Sequence, residues 1–476
     1  MKLNELTITE AREGLKNKKF SSSELTRACL EQIEKHDAKI NAFITVCKKQ
    51  AIEQAKEADK LLSNGAMEQW SNLPLLGIPI ALKDLYSTKD IKTTAGSKVL
   101  KDYSPVYDAT VVKKLKDAGA VIIGKTNLDA WAHGSSGENS DFGPTKNPWN
   151  QEYVPGGSSS GSAAALAADM YLAATGTDTG GSIRLPASFC NLVGLKPTYG
   201  RVSRYGIVAM ASSLDSIGHL AKTVEDSALL LNITAGNDVF DATTPKKPVP
   251  DYQKGLQKGI KELKIGIPKE YLQTGLDEKV KENFEDTKRI LSRLGANLIE
   301  VSLPHTEYAI ACYYIIQPAE VSSNLERYDG IRFGNDRSFF TDEAKRRIML
   351  GTFTLSAGYY EAYYKKAMQV RTLIKKDFED AFVKVDALIA PVSPTPSWKL
   401  GEKVDDPLKM YLSDVFTVTA NLAGIPALAV PSGFINGLPV GIQILGPQFS
   451  EELLFQVGFA YEQATEWYKR KAILNL

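Results

Sequence analysis

Apolar residues near the start of the chain recur at helical spacing. Ser21 and Glu24 stand three residues apart, as in a capping box, and the segment LTRACLEQIEKH that follows carries its apolar residues on one helical face. The segment QAIEQAKEADKLL continues in the same style. The pattern therefore predicts helices that cover the fold. We expect residues 1–65 to form an N-terminal helical layer of the same domain as residues 66–476.

From about Leu73 the pattern changes to short, continuous apolar runs that alternate with helix-like runs. Such runs are typical of strands buried on both faces of a sheet. The segment TVVKKLKDAG is predicted to be a helix that ends at Gly119, and Asn436-Gly437 between two apolar runs indicates an antiparallel hairpin. The runs predicted as strands are LPLLGIPIAL, AVIIG, LKIGIP and DALIAP. We therefore predict an α/β fold with a mixed central sheet covered by helices on both faces.

A polar, proline-rich stretch from about Gly236 to Lys258 interrupts this pattern. It contains TTPKKPVPDYQKG, which is typical of a surface connection. Such a connection can separate two domains, but strands on its two sides can also join one sheet. A chain of 476 residues allows either arrangement, and we favour a single large domain.

Composition narrows the class of protein. Hydrophobic content of 43% and charged content of 24% are ordinary for a globular chain, and a net charge of +1 disfavours extended nucleic-acid binding by this chain alone. The four cysteines form no CxxC pair and fit neither a zinc site nor a disulfide framework. The N-terminus lacks the apolar region of a signal peptide, and no apolar run is long enough to span a bilayer. We expect a cytoplasmic protein with no metal site and no membrane association.

The stretch from Pro155 to Ser182 holds two glycine-rich turns around an apolar middle. Within it, SAAALAAD favours a buried helix and MYLAAT a short strand. In the second turn, Thr179, Gly180 and Gly181 could present backbone N–H groups to a developing oxyanion, with Ser182 placed as a nucleophile. The alternatives are two structural turns or a phosphate-binding loop, and the phosphate-binding loop lacks its GxxxxGK[ST] signature.

A serine nucleophile needs a base. Lys83 ends an apolar strand, where loss of solvation would favour the neutral amine, although a lysine that extends to solvent is the alternative. His133 lies in the most loop-like segment, and His219 and His305 have no acidic partner nearby in sequence. Each histidine is more readily explained as structural than as a general base.

Residues 157–161 also match the motif GxSxG, with Ser159 at its centre. That motif belongs to α/β-hydrolases, where a strand immediately precedes it. Here the preceding segment NQEYVP ends in a proline, which argues against a strand. The α/β-hydrolase alternative is therefore disfavoured.

Several segments, taken together, resemble the amidase signature family. They are GIPIALKD (77–84), GKTNLDAWAHGSS (124–136), FGPTKNPW (142–149), PGGSSSGSAAALAA (155–168) and GTDTGGSIRLPASFCNLVGLKPTYGRVSR (176–204). The spacing of Ser158 and Ser182 is also the one that this family shows. The resemblance implies that Ser182 is the acylated nucleophile, Ser158 the bridging serine and Lys83 the base. It further implies an oxyanion hole at residues 179–181 and a cis peptide bond between Gly157 and Ser158.

Within this family, KPTYGRVSRYGIVAMASSLDSIG and KRRIMLGTFTLSAGYYEAYYKKA resemble the glutamine-hydrolysing component of tRNA-dependent amidotransferases. The resemblance implies hydrolysis of glutamine through a glutamyl ester, with the ammonia passed to a partner. It implies the amidotransferase B and C subunits as partners and no cofactor in this chain, since the B subunit would use ATP and Mg and would hold most of the Glu-tRNA(Gln). It also implies that Tyr313 lies near the substrate side chain, that Arg347 binds the α-carboxylate and that Asp414 binds the α-ammonium.

The chain departs from the family pattern at a few positions. Ser160 stands where glycine is usual, Trp131 and His133 replace the more typical Phe and Met, and the segment 334–343 is short. The short segment lies just before Arg347 in the sequence, so its length affects where Arg347 is placed.

Other interpretations stay open at this point. Arg347 can be a solvated helix charge beside Lys345 and Arg346, and Asp414 can be a helix cap. A free-standing amidase acting on another small carboxamide is the main alternative function. A non-catalytic assembly protein is a third interpretation, against which the intact set of lysine and serines argues.

Overall fold

A large mixed sheet forms the centre of the fold. The computed structural model describes residues 2–63, 72–272, 275–330 and 334–474. The strands within these ranges are β1 (Phe43–Val46), β2 (Pro79–Lys83), β3 (Val121–Thr126), β4 (Ala173–Asp178), β5 (Val193–Lys196), β6 (Ser216–Ala221), β7 (Lys264–Pro268), β8 (Asn297–Val301), β9 (Ala387–Pro391), β10 (Ala427–Ile435) and β11 (Leu438–Leu445). The α-helices are α1 (Ile8–Lys16), α2 (Ser22–Ile40), α3 (Lys48–Ser63), α4 (Thr110–Asp117), α5 (Ser160–Ala167), α6 (Arg184–Phe189), α7 (Val224–Thr234), α8 (Glu278–Arg293), α9 (Ala309–Leu325), α10 (Asp342–Thr354), α11 (Lys366–Phe382), α12 (Pro407–Leu412), α13 (Val418–Ala423) and α14 (Glu451–Thr465).

The strands lie in the order β1-β3-β2-β4-β6-β5-β10-β11-β9-β7-β8. Strand β2 runs parallel to β3 and β4, and β7 runs parallel to β8 and β9, while the other neighbours are antiparallel. The sheet is therefore mixed, as predicted. Strands from both sides of the proline-rich connection join it through the β5–β10 pair, so this connection does not divide the sheet.

The central strands are buried on both faces. Every residue of β2, β3, β4 and β6 is buried, and successive residues of a strand point to opposite faces. Helix α3 packs against β3, α5 against β4, α7 against β6 and α14 against β10. The prediction of a sheet covered on both faces is thus confirmed. No helix within the described ranges has both the length and the apolar character needed to cross a membrane.

Local sequence signals placed several elements correctly. The Ser21–Glu24 capping box forms at the start of α2. Asn436 and Gly437 have φ values of 52° and 81°, and Ile435 pairs with Leu438 across them. Two positive φ values in a two-residue turn are what a tight antiparallel hairpin requires, so the predicted hairpin is confirmed.

Strands β2 and β4 begin later than predicted, because the residues before them donate their N–H groups to carbonyl groups outside the strands. In LPLLGIPIAL the strand begins at Pro79, since Leu75 and Gly77 donate hydrogen bonds to the carbonyl groups of residues 118 and 119. In MYLAAT the strand begins at Ala173, since the N–H of Met170 donates back to the end of α5. The predicted boundary between residues 65 and 66 lies outside the described residues.

Candidate active site

Lys83 lies at the carboxyl end of β2 and is completely buried. Its Nζ is 2.8 Å from Oγ of Ser158 and 2.8 Å from Oγ1 of Thr177. Burial lowers the pKa of Lys83 to about 7, and this effect outweighs the nearby carboxylates of Asp129 and Asp178, which raise it. A substantial fraction of this amine is therefore neutral near pH 7 and able to accept a proton. The alternative that Lys83 extends to solvent is wrong.

Ser158 lies in the loop that precedes α5, next to a cis peptide bond between Gly157 and Ser158. The cis bond confirms the expectation. The N–H of Gly157 donates to the carbonyl of Ser135 at 2.9 Å, and the N–H of Asp129 donates to the carbonyl of Ser158 at 3.3 Å. A Cβ atom at Gly157 would lie 2.0 Å from Oδ2 of Asp129, so only glycine fits beside that carboxylate. These contacts hold the Ser158 hydroxyl toward Lys83.

Ser182 lies between β4 and α6, in the turn beside the Ser158 loop. The backbone N–H of Ser159 donates to the carbonyl of Ser182 at 3.2 Å, which brings the two glycine-rich turns together. The Ser182 side chain is nearly buried, with 8% of the residue exposed. Its hydroxyl has no hydrogen-bond partner among the described residues, so it is available to a substrate and to Ser158.

The turn at residues 179–182 presents unused donors. Within the described parts of the chain, the N–H groups of Thr179, Gly180, Gly181 and Ser182 donate to no protein acceptor. Buried N–H groups are nearly always paired, so a row of unpaired ones suits an anionic oxygen. Gly181 has a φ of 140°, and a Cβ atom there would lie 2.4 Å from Oγ1 of Thr417. The glycine is therefore required both by conformation and by space.

A buried ion pair holds this turn in place. Asp178 accepts hydrogen bonds from Nε and Nη2 of Arg184 at 3.1 and 3.0 Å and from the N–H of Ile183 at 3.2 Å. Although burial opposes it, Arg184 lowers the pKa of Asp178 to about 2, so the carboxylate stays charged. Arg184 also donates to Gln443 and Asn421, at 2.7 Å each. The start of α6 is thereby tied to the opposite half of the sheet.

Tyr313 reaches the turn at residues 179–182 from a distant part of the chain, and Asp414 lies near the neighbouring Tyr314. Tyr313 lies on α9, and its hydroxyl is so close to Gly180 that a Cβ atom there would lie 2.7 Å from it. Asp414 is buried and accepts hydrogen bonds from Ser135 at 2.8 Å and from Tyr314 at 3.2 Å. Burial raises the pKa of Asp414 to about 7. Among the described residues its side chain accepts no hydrogen bond from a helix N–H group, so the capping alternative is wrong.

Arg347 lies on α10 and is 3% exposed, so the alternative of a solvated helix charge is wrong. Its Nε donates to Glu343 and its Nη1 donates to Gln317, at 2.7 Å each. The guanidinium also stacks near the rings of Tyr314 and Tyr411, at 5.4 and 5.6 Å from their centroids. Arg347 lines a cleft of about 420 Å³ together with other charged side chains of both signs. Its guanidinium is the kind of group that can bind a carboxylate with two hydrogen bonds.

The three substituted positions, Ser160, Trp131 and His133, are all buried. Ser160 donates to Thr145 at 3.3 Å, and the Trp131 ring packs 5.3 Å from that of Phe340, which lies within the short segment 334–343. His133 lines the same cleft as Arg347. The short segment thus still places α10 with Arg347 facing the cleft.

Several site residues could not be found by motif reasoning. Thr175 and Thr177 are two residues apart on β4, so their side chains point to the same face of the sheet. This spacing was the available signal that both hydroxyls face Lys83. Asp129 and the Asp178–Arg184 pair stand as isolated charges in apolar segments, which signals buried polar partners.

Metal and histidine chemistry find no support at this site. Within the described ranges, no group of three or more His, Cys, Asp or Glu side chains is placed to hold a metal ion. His219 is hydrogen-bonded to Ser227 at 2.9 Å, and His305 is paired with Asp377 at 2.8 Å. No strand immediately precedes Ser159, so the α/β-hydrolase alternative fails on its structural context.

Comparison with known proteins agrees with this geometry. A family model described as Amidase matches residues 24–455. A relative from Geobacter metallireducens, described as the A subunit of glutamyl-tRNA(Gln) amidotransferase, is 54% identical over 99% of this chain and 100% of its own length. A relative of the same description from Carboxydothermus hydrogenoformans is 53% identical over 99% of both chains.

Solved structures with the same fold include two informative proteins. The crystal structure of the A subunit of glutamyl-tRNA(Gln) amidotransferase from Thermotoga maritima is 44% identical, with a TM-score of 0.84 over 100% of this chain and 99% of that one. A peptide amidase from Stenotrophomonas maltophilia is 32% identical, with a TM-score of 0.85 over 99% of both chains. The chain belongs to the amidase family.

Proposed function

We propose that this chain is the glutamine-hydrolysing A subunit of a glutamyl-tRNA(Gln) amidotransferase, with Lys83, Ser158 and Ser182 as its catalytic residues. The observation that carries the proposal is the buried amine of Lys83, 2.8 Å from the Ser158 hydroxyl and with a pKa of about 7. Relatives that are 54% and 53% identical over nearly their whole length, and that bear this description, support the choice of substrate.

The first chemical step forms an ester. Neutral Lys83 accepts a proton from the Ser158 hydroxyl while Ser158 accepts one from Ser182. The Ser182 oxygen attacks the side-chain carboxamide carbon of glutamine, and the unpaired N–H groups of the turn stabilise the resulting oxyanion. As the C–N bond breaks, the proton held by Lys83 returns through Ser158 to the nitrogen, and ammonia leaves.

The second step hydrolyses the glutamyl ester. A water molecule takes the place of ammonia and loses its proton to Ser158 and Lys83 as it attacks the ester carbon. The Ser182–carbonyl bond then breaks, the Ser182 oxygen regains a proton, and glutamate leaves. The relay therefore ends in its starting protonation state.

The α-carboxylate and the α-ammonium of glutamine are each bound by one side chain. The Arg347 guanidinium, in its cleft, binds the α-carboxylate, and Asp414 binds the α-ammonium. A bound ammonium lowers the pKa of Asp414 from its raised value, because an opposite charge favours the carboxylate. Tyr313, in contact with Gly180, packs against the side chain of the substrate.

The ammonia is used elsewhere, in a complex with the B and C subunits of the amidotransferase. The B subunit would bind ATP with Mg and most of the Glu-tRNA(Gln), since this chain has a net charge of only +1 and no phosphate-binding loop signature in its sequence. An ATP-driven partner activates the glutamyl group, and ammonia converts it to glutaminyl-tRNA.

The pH dependence of kcat tests the role of Lys83. Because the base must be unprotonated, kcat should rise as pH rises through the Lys83 pKa of about 7 and then reach a plateau. At about pH 6, roughly one molecule in ten carries the neutral amine, so single-turnover ammonia release should be about tenfold below the plateau. The measurement uses saturating glutamine, so that titration of Asp414, which affects the binding of glutamine, does not change the observed rate. A rate that stays flat between about pH 6 and about pH 8 contradicts the assignment.

Partner dependence tests the proposed assembly. An enzyme that feeds ammonia to a second site should hydrolyse glutamine weakly alone and faster when both partner proteins, ATP and Glu-tRNA(Gln) are added. A coupling free energy of the usual size corresponds to a rise of roughly 5- to 150-fold, measured as glutamate release. Vigorous hydrolysis by the isolated chain, unchanged by these additions, favours the free-standing amidase acting on another small carboxamide.

A further inference from the structure

His133 forms part of the wall of the cleft that contains Arg347, and its exposed fraction is 0%. Neither Nδ1 nor Nε2 of its ring has a hydrogen-bond partner within the described residues. Buried polar groups are nearly always hydrogen-bonded, because burying one unpaired forfeits its solvation. An imidazole with two unpaired nitrogens at the wall of a cleft is therefore suited to a ligand.

The surrounding backbone holds this ring firmly. Trp131 and Ala132, immediately before His133, have φ values of 59° and 64°, which non-glycine residues rarely adopt. The Trp131 ring is packed against Phe340, and the carbonyl of His133 accepts a hydrogen bond from Nδ2 of Asn139 at 2.7 Å. The backbone that carries the imidazole is thus held in place by the fold.

The charge of the cleft determines which ligand group fits. Burial, together with the nearby Arg347 cation, holds the pKa of His133 well below its usual range, so the ring is neutral and carries one N–H donor. Nε and Nη1 of Arg347 are occupied by Glu343 and Gln317, and Nη2 makes no hydrogen bond within the described residues. Four carboxylates also line the cleft, on Glu138, Asp342, Glu343 and Asp405. At the point where Arg347 and His133 meet, the free donors of a guanidinium and a neutral imidazole suit a carboxylate.

The same segment also leads to the proposed ammonium site. Two residues after His133, Ser135 donates a hydrogen bond to Asp414 at 2.8 Å. Residues 133–135 therefore connect the cleft of Arg347 with the carboxylate of Asp414. This arrangement matches a substrate that carries an α-carboxylate and an α-ammonium on one carbon atom.

We propose that His133 is a specificity-determining residue, whose imidazole donates a hydrogen bond to the α-carboxylate that Arg347 binds. This inference rests on the proposed function and deepens it, since it assigns to His133 the selection of amides with a free α-carboxylate. A methionine, which the family resemblance makes the more typical residue here, has no hydrogen-bond donor in its side chain.

The test compares glutamine with glutaminol, in which a CH₂OH group replaces the carboxylate, as substrates of the full-length chain assembled with its proposed partner subunits, ATP and Glu-tRNA(Gln). His133→Phe keeps a flat ring without a donor. It should lower kcat/KM for glutamine by about tenfold, mainly through KM, and that for glutaminol by less than about threefold. His133→Gln and His133→Asn place an amide N–H near the positions of Nε2 and Nδ1, and one of them should restore the glutamine-to-glutaminol ratio. His219→Phe replaces a buried histidine that is hydrogen-bonded to Ser227 and does not line this cleft; it is the matched control and should keep the wild-type ratio.

Thermal melting of each variant separates loss of folding from loss of recognition. An unchanged ratio in His133→Phe overturns the inference, and so does an equal loss for both substrates, which indicates a packing role. If the wild-type complex does not hydrolyse glutamine, the proposed function fails and this inference fails with it. If wild-type glutamine hydrolysis is normal and only the ratio fails to move, this inference fails alone.

Discussion

Ser182→Ala should lower glutamine hydrolysis by at least about 10⁴-fold, because it removes the hydroxyl that forms the ester in the proposed mechanism. The lost group is small and its hydroxyl has no hydrogen-bond partner within the described residues, so the fold should be unaffected. Ammonia supplied as an ammonium salt bypasses the ester, and the assembled complex should still amidate Glu-tRNA(Gln) at the wild-type rate. The measurement is glutamate release from glutamine beside amidation driven by ammonium.

Ser160→Ala is the matched control for this experiment. Ser160 is a buried serine at the start of α5, two residues after Ser158, but it donates to Thr145 at 3.3 Å and makes no hydrogen bond to Lys83 within the described residues. Its replacement should leave glutamine hydrolysis within a few-fold of the wild type. Loss of both glutamine-driven and ammonium-driven amidation in Ser182→Ala would indicate a damaged fold or complex, and the nucleophile assignment would then lack support.

Lys83→Arg should lower glutamine hydrolysis by about 10³-fold, because a guanidinium does not give up its proton near neutral pH. The charge of the protonated lysine is kept, so the loss reports the missing base. The residual activity should also lose its dependence on a group with a pKa of about 7. The measurement is kcat across the pH range, expressed per folded enzyme.

Lys125→Arg provides the matched control for burying a guanidinium in a strand. Lys125 is also fully buried, on neighbouring β3, but it pairs with Asp84 at 3.0 Å and not with a serine. This variant can lose stability, yet its folded fraction should keep the acid limb of the pH profile. If Lys83→Arg kept the wild-type kcat, Lys83 would not be the base of the relay.

Much of the fold could be predicted because its signals are local. The capping box of α2, the Asn436-Gly437 hairpin and the apolar runs of β3, β7 and β9 each depend on a few neighbouring residues. The starts of β2 and β4 could not be predicted, because Leu75 and Met170 donate their N–H groups to residues outside the strands. Apolar character alone does not reveal where a backbone hydrogen bond goes.

The site was predictable in part. Physical reasoning from the residues indicated Lys83 and the two glycine-rich turns, and the family resemblance assigned roles to Ser158, Ser182 and the three substrate contacts. Those roles stay predictions until they are tested. Thr177 and Asp129 were missed, since their importance comes from contacts with groups far away in the chain.

The sequence by itself determined the class of fold, the glycine-rich turns and the residue types available for catalysis. These features follow from periodicity and from backbone freedom, which are properties of neighbouring residues. Only the tertiary structure decided the environment of each group. Lys83 meets a serine 75 residues away, and its lowered pKa arises from burial by the whole sheet. In the same way, the unpaired ring of His133 is placed beside Arg347 by packing between distant segments, because solvation and charge are set by neighbours in space.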